Sequence, residues 1–289
     1  IVGGAVLQML SGMQDIEVSG IGTIRPWQLA FIIAGVPGLL VALLMTTVKE
    51  PARRGLIGGR VLPSGKPKSI PVKDVYRFLG EEKRTYVPIF TAMGIKTLLS
   101  FGMSLWLPTF FIRTHNWTAS EIGYAQGSVM LVVAPIGLLF GGWLAGWFAR
   151  RGYDDANIRV VLIATIGVTP LSILYPLLDN PNHALAIYGL SYLISMIGVG
   201  PNNAALQIIT PNEMRGQVRA LFQLVFNVVG YALGPLFVAL ITDYVFGSAD
   251  SLGYAMATAA LVVGPISILV TWYGMKPYAR SVIRARSWQ

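Results

Sequence analysis

Apolar runs long enough to cross a bilayer recur along the 289-residue chain, at Trp27–Val48, Tyr86–Ile112, Ile122–Ala149, Val160–Leu178, Ala184–Ile209, Arg219–Thr242 and Gly253–Tyr273. A spanning helix needs about 20 such residues. Only helices and closed barrels satisfy every backbone donor and acceptor in lipid. None of the runs shows the alternating pattern of a barrel strand. The expected fold class is therefore an all-α integral membrane bundle with seven full transmembrane helices. An eighth, partial helix is expected at Ile1–Gly12, which is apolar but too short to span. It also lacks the basic start of a signal peptide. It reads as the back half of a helix, so the chain is expected to be a fragment with its N-terminal half truncated.

Composition excludes the soluble alternatives. Only 12% of residues are charged and 54% are hydrophobic, whereas an average soluble domain is about a quarter charged. The 32 Gly and 17 Pro suit spanning helices. There is no cysteine, which removes disulfides, thiolate metal sites and Cys nucleophiles. His115 and His183 read as outer-loop residues with no second ligand at metal spacing. No Gly-rich nucleotide loop and no Ser-His-acid set is present. No catalytic residues, metal or cofactor are expected, so an ATP-driven pump and a membrane enzyme both drop out.

The net charge of +9 is not evenly spread. Of 22 Lys+Arg, 19 lie in Lys49–Thr85, Arg150–Arg159, Thr210–Arg219 and the tail from Lys276. The alternate connections hold only Arg25 and Arg113. Such alternation is the positive-inside signature. It predicts a multi-pass protein of the plasma (inner) membrane with a cytoplasmic C-terminus, its cations facing anionic lipids. Nucleic acid is not an expected partner, because the cations are dispersed at helix ends without interleaved aromatics. The one remaining cation, Lys96, lies inside a span, while all 13 carboxylates fall in loops or at helix ends.

The Pro- and Gly-rich segment 49–85 reads as a cytoplasmic linker, with Val72–Lys83 as a short helix at the membrane surface. The expected organisation is a remnant of an N-terminal half at 1–48, the loop at 49–85, six spans at 86–275 and a basic cytoplasmic tail at 276–289.

Six spans after a long basic loop resemble the major facilitator superfamily of secondary transporters. Gly142-Trp143-Leu144-Ala145-Gly146-Trp147-Phe148-Ala149-Arg150-Arg151 is similar to that family's inter-helix loop motif at Gly142, Arg150 and Arg151. The resemblance implies a gating loop there, although its usual acid is missing. The phrases Arg25-Pro26-Trp27-Gln28, Trp106-x-Pro108-x-Phe110-Phe111-x-Arg113, Thr210-Pro211-Asn212-Glu213-Met214-Arg215-Gly216 and Gly234-Pro235 resemble the spinster-like branch. Eukaryotic members of that branch are linked to lysolipid or sphingolipid export. The resemblance implies two six-helix halves, of which this chain would hold the second, with the missing first half as its partner.

Four constellations are candidates for handling solute. Lys96 sits about 15 Å into its helix, with Ser100 and Ser104 at i+4 and i+8 on the same face. A charge near mid-bilayer faces a cavity or a partner. Lys96 either binds an anionic solute or snorkels to head groups. Gln223, Asn227 and Tyr231 form a second stripe that either walls a cavity or ties helices together. Gly198, Gly200 and Pro201 predict a hinge, with Asn202, Asn203 and Gln207 beside it as further substrate contacts. Gly137-x-x-x-Gly141 and Gly142-x-x-x-Gly146 read as close-packing motifs. Trp106, Trp117, Trp143, Trp147 and Trp272 read as interfacial anchors.

The expected function is secondary active transport of a small organic solute, anionic or amphipathic, by alternating access, as a proton-coupled symporter or antiporter. A non-transporting binding protein or transceptor on the same scaffold is the alternative. A half-length transporter that dimerises remains a third.

Overall fold

The computed structural model describes residues 16–18, 22–48 and 70–286. The expected partial helix at Ile1–Gly12 and most of the loop, 49–69, lie outside the described residues. Strands β1 (Ile16–Val18) and β2 (Gly22–Ile24) form an antiparallel pair. Helix α1 (Pro26–Met45) follows, with Pro26 at its first position. There the missing N–H costs nothing. Its Leu39, Leu40, Leu43 and Leu44 are exposed.

Helix α2 (Val72–Glu81) forms where the short helix is expected, and it packs on the bundle. Val75 is fully buried in a core cluster with Tyr86, Ile89, Ile209, Val218 and Tyr278, so α2 closes one end of the bundle. Gln217 donates to the Ile70 carbonyl at 2.7 Å and fastens the approach to it.

Six helices among the described residues are long and apolar enough to cross a membrane. They are α3 (Lys83–His115), α4 (Ala119–Arg150), α5 (Ala156–Leu177), α6 (Pro181–Ile208), α7 (Arg215–Phe246) and α8 (Ala249–Ala285). Five correspond closely to apolar runs in the sequence. The sixth, α8, continues past Tyr273 to Ala285 through Lys276, Arg280 and Arg284, residues that favour helix without needing lipid. The seventh expected span coincides with α1, a helix of 20 residues.

The helices pack in the order α4, α6, α5, α8, α3, α7, each against the next. Two apolar cores form, one at each end. The first gathers Leu107, Phe110, Phe111, Ile122, Tyr175 and Met256. The second surrounds Val75 and Tyr278. Lys96 lies between Met93 of the second core and Leu99 of the first.

Glycines decide two of the crossings. A Cβ on Gly137 would stand 2.6 Å from Met196 Cβ and 2.7 Å from the Leu193 carbonyl. One on Gly141 would collide with the Ile197 carbonyl. So α4 meets α6 backbone to backbone. Likewise a Cβ on Gly234 of α7 would lie 2.6 Å from the Leu98 carbonyl and 2.9 Å from the Gly102 nitrogen of α3, and one on Gly230 would lie 2.8 Å from the Phe101 ring. Gly230-x-x-x-Gly234 is thus a second close-packing motif. Gly142-x-x-x-Gly146 is not one among the described residues. Gly142 has nothing within 4 Å, and Gly146 meets only Arg150 of its own helix.

Trp106 also differs from expectation. Its Nε1 donates to the Pro235 carbonyl at 2.9 Å, which ties α3 to α7 instead of anchoring at the interface. Replacing Trp106 by Phe should cost about 1 kcal/mol of bundle stability, the net worth of one hydrogen bond. A denaturation midpoint in detergent unchanged from the parent would count against that strut. Trp117 packs on Phe111, whereas Trp143 and Trp272 are exposed and suit an interface. Asn116 ends α3 in the left-handed conformation (φ 57°), and Thr118 caps α4 through Glu121. The histidines belong to helix ends rather than loops: His115 closes α3 and His183 stands in the first turn of α6.

Candidate solute-binding site

A cavity of about 300 Å³, its walls mostly apolar with hydroxyls among them, lies between α3, α4, α5, α6 and α8. Lys96, Ser100 and Ser104 of α3 line it, as the stripe on that helix predicts. Because α3 begins at Lys83, Lys96 is about 20 Å along its axis, deeper than the 15 Å expected from the apolar run.

Other helices contribute hydroxyls. Thr165, Thr169 and Ser172 come from α5, Ser191 and Ser195 from α6, and Ser267 from α8, with Tyr175, Tyr188 and Tyr192 completing the polar wall. Some of these groups are satisfied locally. Thr165 donates to the Val161 carbonyl at 2.8 Å and Thr169 to the Thr165 carbonyl at 2.7 Å. Ser172 and Ser191 share a bond of 3.1 Å across the helices. Others are not: among the described residues the Tyr175 hydroxyl and Ser267 Oγ have no partner, although their residues are only 1% and 2% exposed. A buried hydroxyl without a partner costs roughly 1–3 kcal/mol. Both oxygens are closed off by the surrounding side chains, so the hydroxyls that face open cavity space are those of Ser100 and Ser104.

Lys96 stands at the inner end of this cavity, against the break in α6. A Cβ on Gly198 would lie 2.7 Å from Lys96 Nζ. The first part of α6 stops at Ile197, and a second helix starts at Val199. Pro201 has no N–H, so the Ile197 carbonyl loses its usual donor four residues on. That carbonyl is the one Gly141 abuts. The last carbonyls of a helix carry partial negative charge, and the ammonium lies beside them. The predicted hinge residues Gly198, Gly200 and Pro201 thus surround a real helix break, and Lys96 touches it. Changing Pro201 to Ala restores the donor. We expect that variant to be as stable as the parent or more so, and to slow solute turnover if the break bends during transport. Unaltered turnover would argue against the hinge.

The remaining candidates scatter. Asn202 lines a small crevice with Lys96, Pro88 and Thr271, and its Oδ1 is buried without a partner among the described residues. Asn203 accepts from Arg219 instead. Gln207 is exposed, and its backbone carbonyl accepts from Arg215 at 3.0 Å. Gln223 donates to Asn227 at 3.1 Å along their own helix. Tyr231 stacks on Phe101, with ring centres 3.8 Å apart, and so reaches the cavity only through a lining residue. Asn227 and Tyr231 lie in a π-helical stretch, Phe226–Leu233. Pro235 lacks an N–H for the Tyr231 carbonyl and its ring crowds that carbonyl, which widens the preceding turns. In the loop motif, Arg151 lies over Trp147 at 3.7 Å, while Gly142 and Arg150 are exposed. No carboxylate pairs with Arg150 or Arg151 among the described residues.

With this geometry in place, comparison with known proteins gives the class. The family model described as Major Facilitator Superfamily matches residues 1–235. The chain belongs to that family, as a multi-pass integral membrane protein.

Among curated relatives, the chain is 23% identical over 259 residues to an MFS-type efflux pump of Mycolicibacterium smegmatis, covering 89% of this chain and 58% of that protein. It is 22% identical over 244 residues to the cis,cis-muconate transport protein of Acinetobacter baylyi, covering 82% and 54%. The chain thus spans little more than half the length of these two relatives. It shares its fold with a bacterial homolog to the human lysosomal transporter Spinster, solved inward-facing and unoccupied. The TM-score is 0.58 at 18% identity, covering 99% of this chain and 66% of that one. The occupied form of that homolog gives 0.52. The relatives are transporters, not enzymes.

Proposed function

We propose that the chain is the solute-handling C-terminal part of a secondary active transporter that moves a small organic anion by alternating access. The observation that carries this reading is the company Lys96 keeps. It is a cation in a hydroxyl-lined cavity at membrane depth, and no carboxylate is among the lining residues. An uncompensated ammonium there costs several kcal/mol, which a bound anion offsets. The Ser100 and Ser104 hydroxyls on the wall supply further hydrogen bonds, and a cavity of this size suits a small molecule. One relative's name carries an organic anion, cis,cis-muconate.

In this reading a first six-helix half packs on this one, and the two rock about the site. The exposed apolar side of α1 belongs to that contact. The coupling ion is the proton, and the carboxylate that takes it lies in the first half. The basic loops face the cytoplasm.

The test is uptake into sealed vesicles by the full-length protein, using a panel of small carboxylates that begins with cis,cis-muconate. We expect accumulation driven by a pH gradient and collapsed by a proton ionophore. Uphill uptake that ignores both would refute the coupling. Binding without any movement across the vesicle wall would refute transport itself.

A further inference from the structure

A second site lies on the opposite side of the inner core, and the solute cavity does not use it. A groove of about 960 Å³ runs between the start of α3, the start of α5 and the end of α8. Five cations line it: Lys83 and Arg84 from α3, Arg159 from α5, and Lys276 and Arg280 from α8. Against them stands one carboxylate, Asp155, already paired with Arg159 at 2.9 Å. Lys83, Arg84, Lys276 and Arg280 are exposed and have no ion pair among the described residues. Neighbouring basic residues behave differently: Arg284 pairs with Glu82 and Arg286 with Asp154. Lys83, Arg84, Lys276 and Arg280, drawn from two helices, converge on this one groove.

The rest of the lining is apolar and aromatic. Val87, Pro88, Met275 and Pro277 form the wall. Trp272 and Tyr273 stand one helical turn before Lys276 on α8 and are 64% and 71% exposed. Aromatic residues at this position, next to cations one turn outward, mark the depth where acyl chains give way to head groups. Trp272, Lys276 and Arg280 follow at i, i+4 and i+8, so they share one face.

We propose that this groove is a binding site for an anionic phospholipid. The phosphate sits among Lys83, Arg84, Lys276 and Arg280, and the glycerol and upper acyl chains lie along Trp272, Tyr273 and Val87. A free phosphate needs the cations alone and gains nothing from the aromatic and apolar wall. The site is independent of the solute assignment. It rests on the placement of charge at a membrane-facing groove and not on what the cavity carries.

The full-length protein is reconstituted in vesicles of equimolar phosphatidylglycerol and phosphatidylcholine, extracted mildly and analysed by native mass spectrometry. We expect phosphatidylglycerol to be retained severalfold over phosphatidylcholine. In the double variant Lys276→Gln/Arg280→Gln that retention should fall by about tenfold or more, because each juxtamembrane cation contributes substantially to anionic-lipid attraction. Both residues are exposed, so folding is not at stake. Arg150→Gln, an exposed cation outside the groove, should leave retention unchanged. Millimolar inorganic phosphate should not displace the lipid. Equal retention of the two lipids, or full retention by the double variant, would overturn the proposal. Displacement by phosphate alone would make this a free-anion site and overturn the lipid assignment.

Discussion

Lys96→Met should reduce solute transport by roughly tenfold to a hundredfold while leaving membrane insertion intact. The size follows from removing a charge-assisted hydrogen bond, worth about 1.5–3 kcal/mol, from a desolvated site. Met keeps most of the side-chain length and removes the ammonium, so the cavity stays filled. Stability should rise slightly if it changes at all, because a charge has been removed from membrane depth. That combination, better folding with worse transport, separates a binding role from a structural one. A lysine that only snorkels to head groups would show neither effect. Lys96→Arg should not rescue. The Nζ already abuts Gly198, and the broader guanidinium has no space there without moving the α6 break. Vesicle uptake and a thermal melt on the same preparations measure both quantities.

The second large effect concerns two adjacent glycines. Gly141→Ala should destabilise the bundle by about 1–3 kcal/mol through overpacking, since its Cβ would meet the Ile197 carbonyl. Gly142→Ala should be neutral, or stabilise by up to about 1 kcal/mol through helix propensity, since nothing lies within 4 Å of its Cβ. The opposite signs at neighbouring positions are the test. Equal melting points for the two variants would mean that α4 does not cross α6 where described. Because Gly141 also touches the carbonyl freed by Pro201, its substitution should slow transport beyond what the lost stability explains.

This pair also shows what a sequence leaves out. Gly137-x-x-x-Gly141 and Gly142-x-x-x-Gly146 have the same spacing and lie in the same helix. A step of one residue turns the side chain by about 100°, so the second pair lies on a different face from the first. Spacing identifies the motif, and only the neighbour's position selects the pair that packs. The apolar runs were legible because lipid demands length and hydropathy. The ends were less so, because Lys83, Lys276, Arg280 and Arg284 extend helices outside the lipid, where hydropathy says nothing.

The site divides in the same way. Lys96 stood out because a single cation inside a span has no cheap explanation. The hydroxyl walls were missed because Ser and Thr satisfy themselves within a helix, as Thr165 and Thr169 do. Their periodicity was nonetheless present: Thr165, Thr169 and Ser172 on α5, and Tyr188, Ser191, Tyr192 and Ser195 on α6, each keep one helical face. Gln223 and Asn227 were conspicuous as amides, yet they bond to each other. Asn203 was conspicuous too, and Arg219 occupies it.

The account turns on whether the Lys96 cavity lies on the solute's path. This chain contributes no cysteine, so once any cysteine elsewhere in the full-length protein is changed to serine, a single Ser195→Cys substitution reports on the cavity alone. The decisive measurement is labelling of that cysteine by a membrane-impermeant thiol reagent, added separately to each side of sealed vesicles containing the full-length protein. The account predicts modification from either side, with Lys96→Met leaving the accessibility in place while uptake falls about tenfold or more. Modification from one side only, under every gradient applied, would contradict it.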